Sequence, residues 1–425
     1  MKLHHTILFF LITLSLSLPK AQAQTEKEIV DFLHSATLKT DNKTVKIPIE
    51  IKNDLILLKI KVNGKNATFM WDNGFSFSGI DNSLVDQFKF VPYGGNAESV
   101  TATDGNNVQV NLNFIICPKM EIGGISVLNS PFLKVDFKSI SQTKELMFQG
   151  ILGAAVINKL NWKFDFDNNF VEISEKPFMV NNNDLVLPYR IIETNANHYM
   201  PIALNGNKIE TLVDFGFNND IIEVNTSNAH FFAKSDATKA FGPSSISVGG
   251  LAPVDTIYTI KDGFSFELSG KKLAVQPKIS FTKAVNNIII GNKIFRDNYN
   301  VIINTSGNTV YALSSRKKPA PAIGNEVYGY RVHYIEGKLK IMSIDANANT
   351  VNSDIKLMDE VVSINGKVPA DFGDNYTLRM YQQNLLKDQK KLILKLKNGK
   401  EISLTPQPKT EYKFTNEKEL WATPK

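Results

Sequence analysis

The chain has 425 residues, 48 basic against 42 acidic side chains for a net charge of +6, 43% hydrophobic residues and one cysteine. At roughly 100–200 residues per domain this is a chain of two or three domains, apolar enough to bury real cores and so not a disordered polymer. One cysteine excludes an intramolecular disulfide and a cysteine-type zinc site; the positive charge is spread thinly, and its short clusters at 316–318 and 387–391 read as solvated surface, so a nucleic-acid partner is not expected.

In chain order, Met1-Lys2 precedes an apolar run from Ile7 to Leu18 and then Ala21-Gln22-Ala23. That is the pattern of an export signal, residues 1–23, cleaved after Ala23. The run is shorter than the roughly 20 residues a helix needs to cross a bilayer core, so no stable membrane span is expected. The protein is expected outside the cytoplasm, and the signal serves periplasm and secretion alike. Cys117 reads as a small buried apolar residue. Residues 24–45 form an N-terminal segment before the first regular pattern.

From there one pattern occurs twice. Leu57 to Val62 alternates, turns at Asn63-Gly64, resumes as Ala67 to Trp71 and reaches Asp72-Asn73-Gly74. Tyr199 to Leu204 does the same through Asn205-Gly206 and Thr211-Leu212-Val213 to Asp214-Phe215-Gly216. In both copies the aspartate lies nine residues after the turn asparagine. Asn-Gly between alternating runs is a strong hairpin signal, because both central residues of a type I′ turn need positive φ. Each copy closes on an apolar-apolar-glycine triplet, Ile151-Leu152-Gly153 or Ile289-Ile290-Gly291, at aspartate-to-glycine spacings of 81 and 77 residues. A short helical stretch and a strand follow each. Short strands and Gly/Asn turns fill the intervals, as in small β-barrel lobes, which places the boundaries at 46–180 and 181–315.

These residues carry a resemblance to bacterial retropepsin-like aspartyl proteases, here as two lobes fused in tandem. The resemblance implies a mainly β fold with one catalytic aspartate from each lobe, Asp72 and Asp214. Asn73, Gly74, Phe215 and Gly216 would form the active-site turns. Ile151, Leu152, Gly153, Ile289, Ile290 and Gly291 would form the strands that pass beneath them. Two carboxyl groups sharing one proton supply both a base for water and an acid for the amide, and like charges held close pull the pair's apparent pKa values apart. The family usually has Thr or Ser between Asp and Gly, hydrogen-bonding across the lobes. Asn73 can still donate and accept, whereas Phe215 can do neither.

Residues 316–324 are polar and proline-interrupted, a linker. Beyond it, 339–344 and 360–364 read as strands, 375–386 as an amphipathic helix, and 392–404 as a hairpin around Asn398-Gly399, giving a compact unit over 325–408 and a tail over 409–425. The run from Ser353 to Gly366 resembles the core signature of bacterial PDZ domains, with Met358 where a glycine is usual. The resemblance implies an α+β domain with Tyr328, Gly329 and Tyr330 in the carboxylate-binding loop; the alternative is a packing module with a closed groove.

Other patterns lack their context. Asp214-Phe215-Gly216 and Asp371-Phe372-Gly373 spell a kinase tripeptide without a phosphate loop, and 165–169 imitates a calcium loop without its glycine and glutamate. His34, His198, His230 and His333 show no metal spacing, so no metal and no cofactor are expected. The reading is an exported aspartic-type peptidase acting on polypeptide, with a PDZ-like module that recruits peptides. The alternative is a lapsed protease fold serving as a peptide-binding scaffold, favoured by bulky Phe75, Phe215 and Phe217. The oligomeric state is not encoded in these patterns.

Overall fold

The computed structural model of the protein describes residues 20–39, 42–95, 99–106, 108–137, 148–232, 236–283, 285, 287–318, 326–335, 337–345, 355–408 and 412–413. The apolar run at 7–18 lies outside them, and a helix over Lys20–Leu33 runs across the expected cleavage point. Its Phe32 and Leu33 pack into the first half's apolar cluster, Phe32 lying 4.0 Å from the Tyr93 ring and 5.2 Å from that of Phe114. No helix among the described residues is long and apolar enough to cross a membrane.

The fold is mainly β, and one order of strand pairing occurs at two places in it. Strands Leu55–Val62 and Lys65–Trp71 join at Asn63-Gly64, φ 47° and 83°, as His198–Leu204 and Asn207–Asp214 join at Asn205-Gly206, φ 48° and 79°. Even the turn side chains match: Asn63 donates to Phe88 O and accepts from Lys119 N, and Asn205 donates to Phe231 O and accepts from Ser265 N. Gly150–Leu152 then runs parallel to Lys65–Trp71, and Ile289–Gly291 parallel to Asn207–Asp214. On their other sides both meet an antiparallel strand, Ser78–Asp81 or Ile221–Asn225, and that strand continues parallel to Ile125–Val135 or Lys278–Thr282.

The halves are bonded into one body. Strands Asn161–Asp165 and Phe170–Ser174 pair with each other, then with Tyr299–Asn304 on one side and Thr44–Lys52 on the other. A single apolar cluster crosses the junction, with Trp71, Trp162 and Phe164 from the first half against Phe215, Phe295 and Tyr311 from the second.

The C-terminal unit has its own apolar cluster under strands Tyr330–Ile335, Lys338–Asp345, Glu360–Ile364, Leu392–Leu396 and Glu401–Leu404, with helix Asn375–Lys387 against them. The helix starts where Asp374 caps the Thr377 amide, and buries Leu378 and Leu385. Of the expected linker, 316–318 are tethered: the Arg316 guanidinium donates to Phe166 O, Arg296 O and Asp167, and the Lys317 and Lys318 amides donate to Asp167. Residues 319–325 lie outside the described set. The unit also meets the second half edge to edge, Ala240 opposite Asp345 and Phe241 opposite Ile344, so close that a Cβ on Gly242 would stand 2.3 Å from Met342 O.

Candidate active site

Lys65–Trp71 ends at Asp72, and Asn207–Asp214 ends on its aspartate. In each turn the aspartate Oδ1 accepts from the amides two and three residues on. Asp72 takes Gly74 N at 2.9 Å and Phe75 N at 3.1 Å; Asp214 takes Gly216 N at 2.7 Å and Phe217 N at 3.0 Å. Aspartate favours such self-bonded turns, and here both present their carboxyls to the same point. The Asp72 and Asp214 side chains hydrogen-bond to each other. A Cβ on Gly74 would lie 2.3 Å from Asp214 Cγ, and one on Gly216 would lie 2.3 Å from an Asp72 carboxyl oxygen. Each glycine therefore makes room for the opposite carboxyl, a stricter demand than the tight turn read from sequence.

The apolar-apolar-glycine triplets lie beneath these turns. Ile151 and Leu152 pair with Met70 and Trp71, the Asp72 amide donates to Leu152 O at 3.0 Å, and Ile289 and Ile290 pair with Leu212 and Val213. A Cβ on Gly153 would stand 1.6 Å from Phe77 O, and one on Gly291 2.6 Å from Asn219 O. The residues after the glycines hold the turns from below: Ala154 N donates to Phe75 O and Asn292 N to Phe217 O.

The centres of the two turns differ. Asn73 is fully buried; its Oδ1 accepts from Phe215 N at 2.9 Å and its Nδ2 donates to Val213 O at 2.8 Å, so one side chain both accepts from and donates to the opposite turn. Phe215 returns no such bond. It packs below, with ring centroids 5.2 Å from Trp71, 5.6 Å from Phe295 and 6.3 Å from Tyr311. Phe75 packs against the apolar cluster that holds Phe77, and Phe217 packs against Leu212, Val285 and Ile289.

Several contributors had no sequence motif. Asn197 donates to Asn73 O, and Ser76 donates to Asn197 Oδ1. Asn292 donates to Phe215 O and Asp54 O, and Asn218 to Asn53 O. The Asn53-Asp54 hairpin turn is thus a docking point for the second half; the signal that could have found it is an Asn-Asp pair between two alternating runs. Arg296, Lys293 and Arg379 surround its carboxylate and, although burial pushes Asp54 up, together they hold it below its ordinary value.

Burial raises both dyad carboxyls. Asp72 is lifted well above its ordinary value by burial and then by the Asp214 charge; for Asp214 burial outweighs the bonds from Asp72, Phe217 N and Gly216 N. Two carboxyls in hydrogen-bond contact must hold a proton between them, so the pair has an acid and a base side by side. Among the described residues, no group of three or more His, Cys, Asp or Glu could hold a metal ion.

Two further hairpins, one from each half, touch at their tips. The first joins Ser99–Thr103 to Gln109–Ile122, the second Asp236–Pro243 to Val254–Ile260. Gly249 N donates to Asp104 Oδ2 at 2.9 Å, Asn106 Nδ2 donates to Gly250 O at 2.8 Å, and Ser245 donates to Asn106 Oδ1 at 2.5 Å.

Tyr328, Gly329 and Tyr330 lie apart from the dyad, in the C-terminal unit. Both tyrosines are buried, and Tyr328 donates to Lys390 O. The edge strand Tyr330–Ile335 is bonded by the helix: Tyr334 N donates to Asn375 Oδ1 at 2.6 Å, Asn375 Nδ2 to Tyr334 O at 2.7 Å, and Gln382 to Val332 O at 3.2 Å.

Against known proteins, a family model described as aspartyl protease matches residues 58–156. The match contains the Asp72 turn and the Ile151-Leu152-Gly153 strand and ends before the second half begins. No curated protein matches the chain.

Proposed function

We propose that the protein is an aspartic-type peptidase whose dyad is Asp72 and Asp214, one from each of two retropepsin-like lobes in tandem. The observation that carries this is the reciprocal geometry: each carboxyl is held by its own turn and seated over the glycine of the other. The aspartyl protease match over the first turn supports it. The three phenylalanines that favour the scaffold alternative pack with apolar clusters.

The reaction follows from the shared proton. The ionised carboxylate takes a proton from water as its oxygen attacks the scissile carbonyl carbon, while the protonated partner gives its proton to the carbonyl oxygen. The C–N bond of the resulting gem-diol breaks as the protonated carboxyl gives its proton to nitrogen and the other carboxylate takes one from a diol hydroxyl, which leaves amine, carboxylic acid and a singly protonated pair. The touching hairpins would cover an extended substrate laid over the dyad and exclude water from it. We further propose export, on the pattern of residues 1–23, and a PDZ-like order for the C-terminal unit. With Asn375 and Gln382 on its edge strand that unit would serve as an intramolecular packing module, with no peptide added to that edge.

The test is purified protein lacking residues 1–23 against a peptide library from acidic to neutral pH, with Asp72→Asn and Asp214→Asn as controls. Cleavage lost in both variants is expected. Cleavage that survives either substitution would overturn the assignment.

A further inference from the structure

We propose that Tyr311, His198 and Asn158 form a positioning chain that orients the buried Asn73 side-chain amide and, through it, the two catalytic turns. This rests on the peptidase reading and adds residues to its site. The second hydrogen on Asn73 Nδ2 points to Tyr311 Oη at 3.1 Å. Tyr311 Oη lies 2.7 Å from His198 Nδ1, and His198 Nε2 lies 2.6 Å from Asn158 Oδ1. Asn158 Nδ2 ends the chain on Ala196 O at 2.7 Å.

Only one assignment of protons satisfies every atom. The Asn158 nitrogen donates to a carbonyl, so its oxygen must accept, and His198 Nε2 must carry the proton. His198 is fully buried, and burial lowers its pKa to about 3, so the ring is neutral and Nδ1 is an acceptor. Tyr311 must then donate to Nδ1, which leaves its oxygen lone pair facing Asn73 and requires Nδ2, not Oδ1, on that side. Oδ1 is thereby left towards Phe215 N and the other Nδ2 hydrogen towards Val213 O.

A flipped Asn73 amide would set nitrogen against the Phe215 N–H and oxygen against Val213 O, breaking both cross-turn bonds. A hydroxyl at this position needs no such instruction, because it rotates to suit its partners. An amide does, and the chain supplies it through Tyr311.

The test is a double-mutant cycle of Tyr311→Phe with Asn73→Thr, in which threonine keeps the cross-turn contacts without reaching Tyr311. Two readouts are taken: peptide turnover, and residue-resolved hydrogen exchange of the Phe215 amide. Tyr311→Phe alone should speed that exchange about tenfold and lower kcat about tenfold to a hundredfold with KM within about twofold. In the Asn73→Thr background it should change neither by more than about twofold. Equal effects in both backgrounds, or none with Asn73 in place, would overturn the proposal. Should Tyr311→Phe fail to fold, Asn158→Ala, which removes the acceptor of His198 Nε2 together with the bond to Ala196 O, gives the same cycle. If the native protein never cleaves a peptide while the exchange cycle behaves as stated, the peptidase reading fails and the positioning chain stands.

Discussion

The Asp72 and Asp214 turns share a backbone plan and differ at one buried centre. Asn73 reaches across the junction with both ends of its amide, and Phe215 sinks into the aromatic cluster below it. Both residues are fully buried, so the contrast lies in what each buries: a satisfied polar group or apolar area. One side chain that both donates and accepts holds two turns together as long as its orientation is fixed. The position opposite is then free to serve the core.

Substituting the carboxyls tests the shared part of this plan. Asp72→Asn and Asp214→Asn should each lower kcat by at least about a thousandfold, since neither amide supplies the base. Peptide cleavage under substrate excess checks it. Next in size, Gly74→Ala and Gly216→Ala should each cost about a hundredfold or more and to a similar degree, because each added Cβ meets the opposite carboxyl. A large difference between the two would show that the halves do not contribute alike.

The differing centre separates activity from stability. Asn73→Ala loses both cross-turn bonds and should cost about 2–4 kcal/mol together with most activity. Phe215→Ala empties part of the core and should cost about 3–5 kcal/mol, with kcat falling less per unit of stability lost. Urea titration and turnover on the same samples decide this, and equal kcat losses at equal stability loss would erase the distinction.

The smallest expected effects are on pH dependence. The raised dyad carboxyls keep a proton that the unfolded chain releases, so they contribute stability at acid pH that is lost as pH rises through the folded values. Glu223, raised to about 7 by burial, acts in the same direction between its ordinary value and 7. His198 acts oppositely: held neutral by burial, with its pKa lowered to about 3, it costs stability as pH falls from about 6.5 towards 3. Asp72→Asn should therefore flatten the alkaline side of a Tm-against-pH profile, and Tm unchanged across that side would count against a carboxyl pair sharing a proton.

The legible part of this site was local. Asn63-Gly64 and Asn205-Gly206 announce their hairpins, because turn chemistry and alternation act over a few residues, and each apolar-apolar-glycine triplet is a short pattern that stands out because it occurs twice. The Asn73 side chain declares that it can donate and accept, but not to which partners. Tyr311 lies 238 positions away and carries no motif, and a buried tyrosine in an apolar strand reads as core. Asn292 stood in the slot that Ala154 fills in the first copy, and that mismatch was the one available sign of its two bonds to the active-site turn and to Asp54. In the C-terminal unit the strands and helix follow from periodicity, whereas the Asn375 and Gln382 bonds to the edge strand depend on how the helix lies against it, which periodicity does not specify.

The Asn53-Asp54 turn has a consequence for the order in which the chain assembles. As a two-residue hairpin it forms from its neighbours within microseconds. Its two carbonyls and its carboxylate nevertheless wait for Asn218, Asn292, Arg296 and finally Arg379 of the C-terminal unit. Until then the first half exposes a preformed but unmet contact. The C-terminal unit thus reaches the same turn that receives the second half, and a chain truncated before Arg379 would carry the carboxyl pair with that turn one cation short.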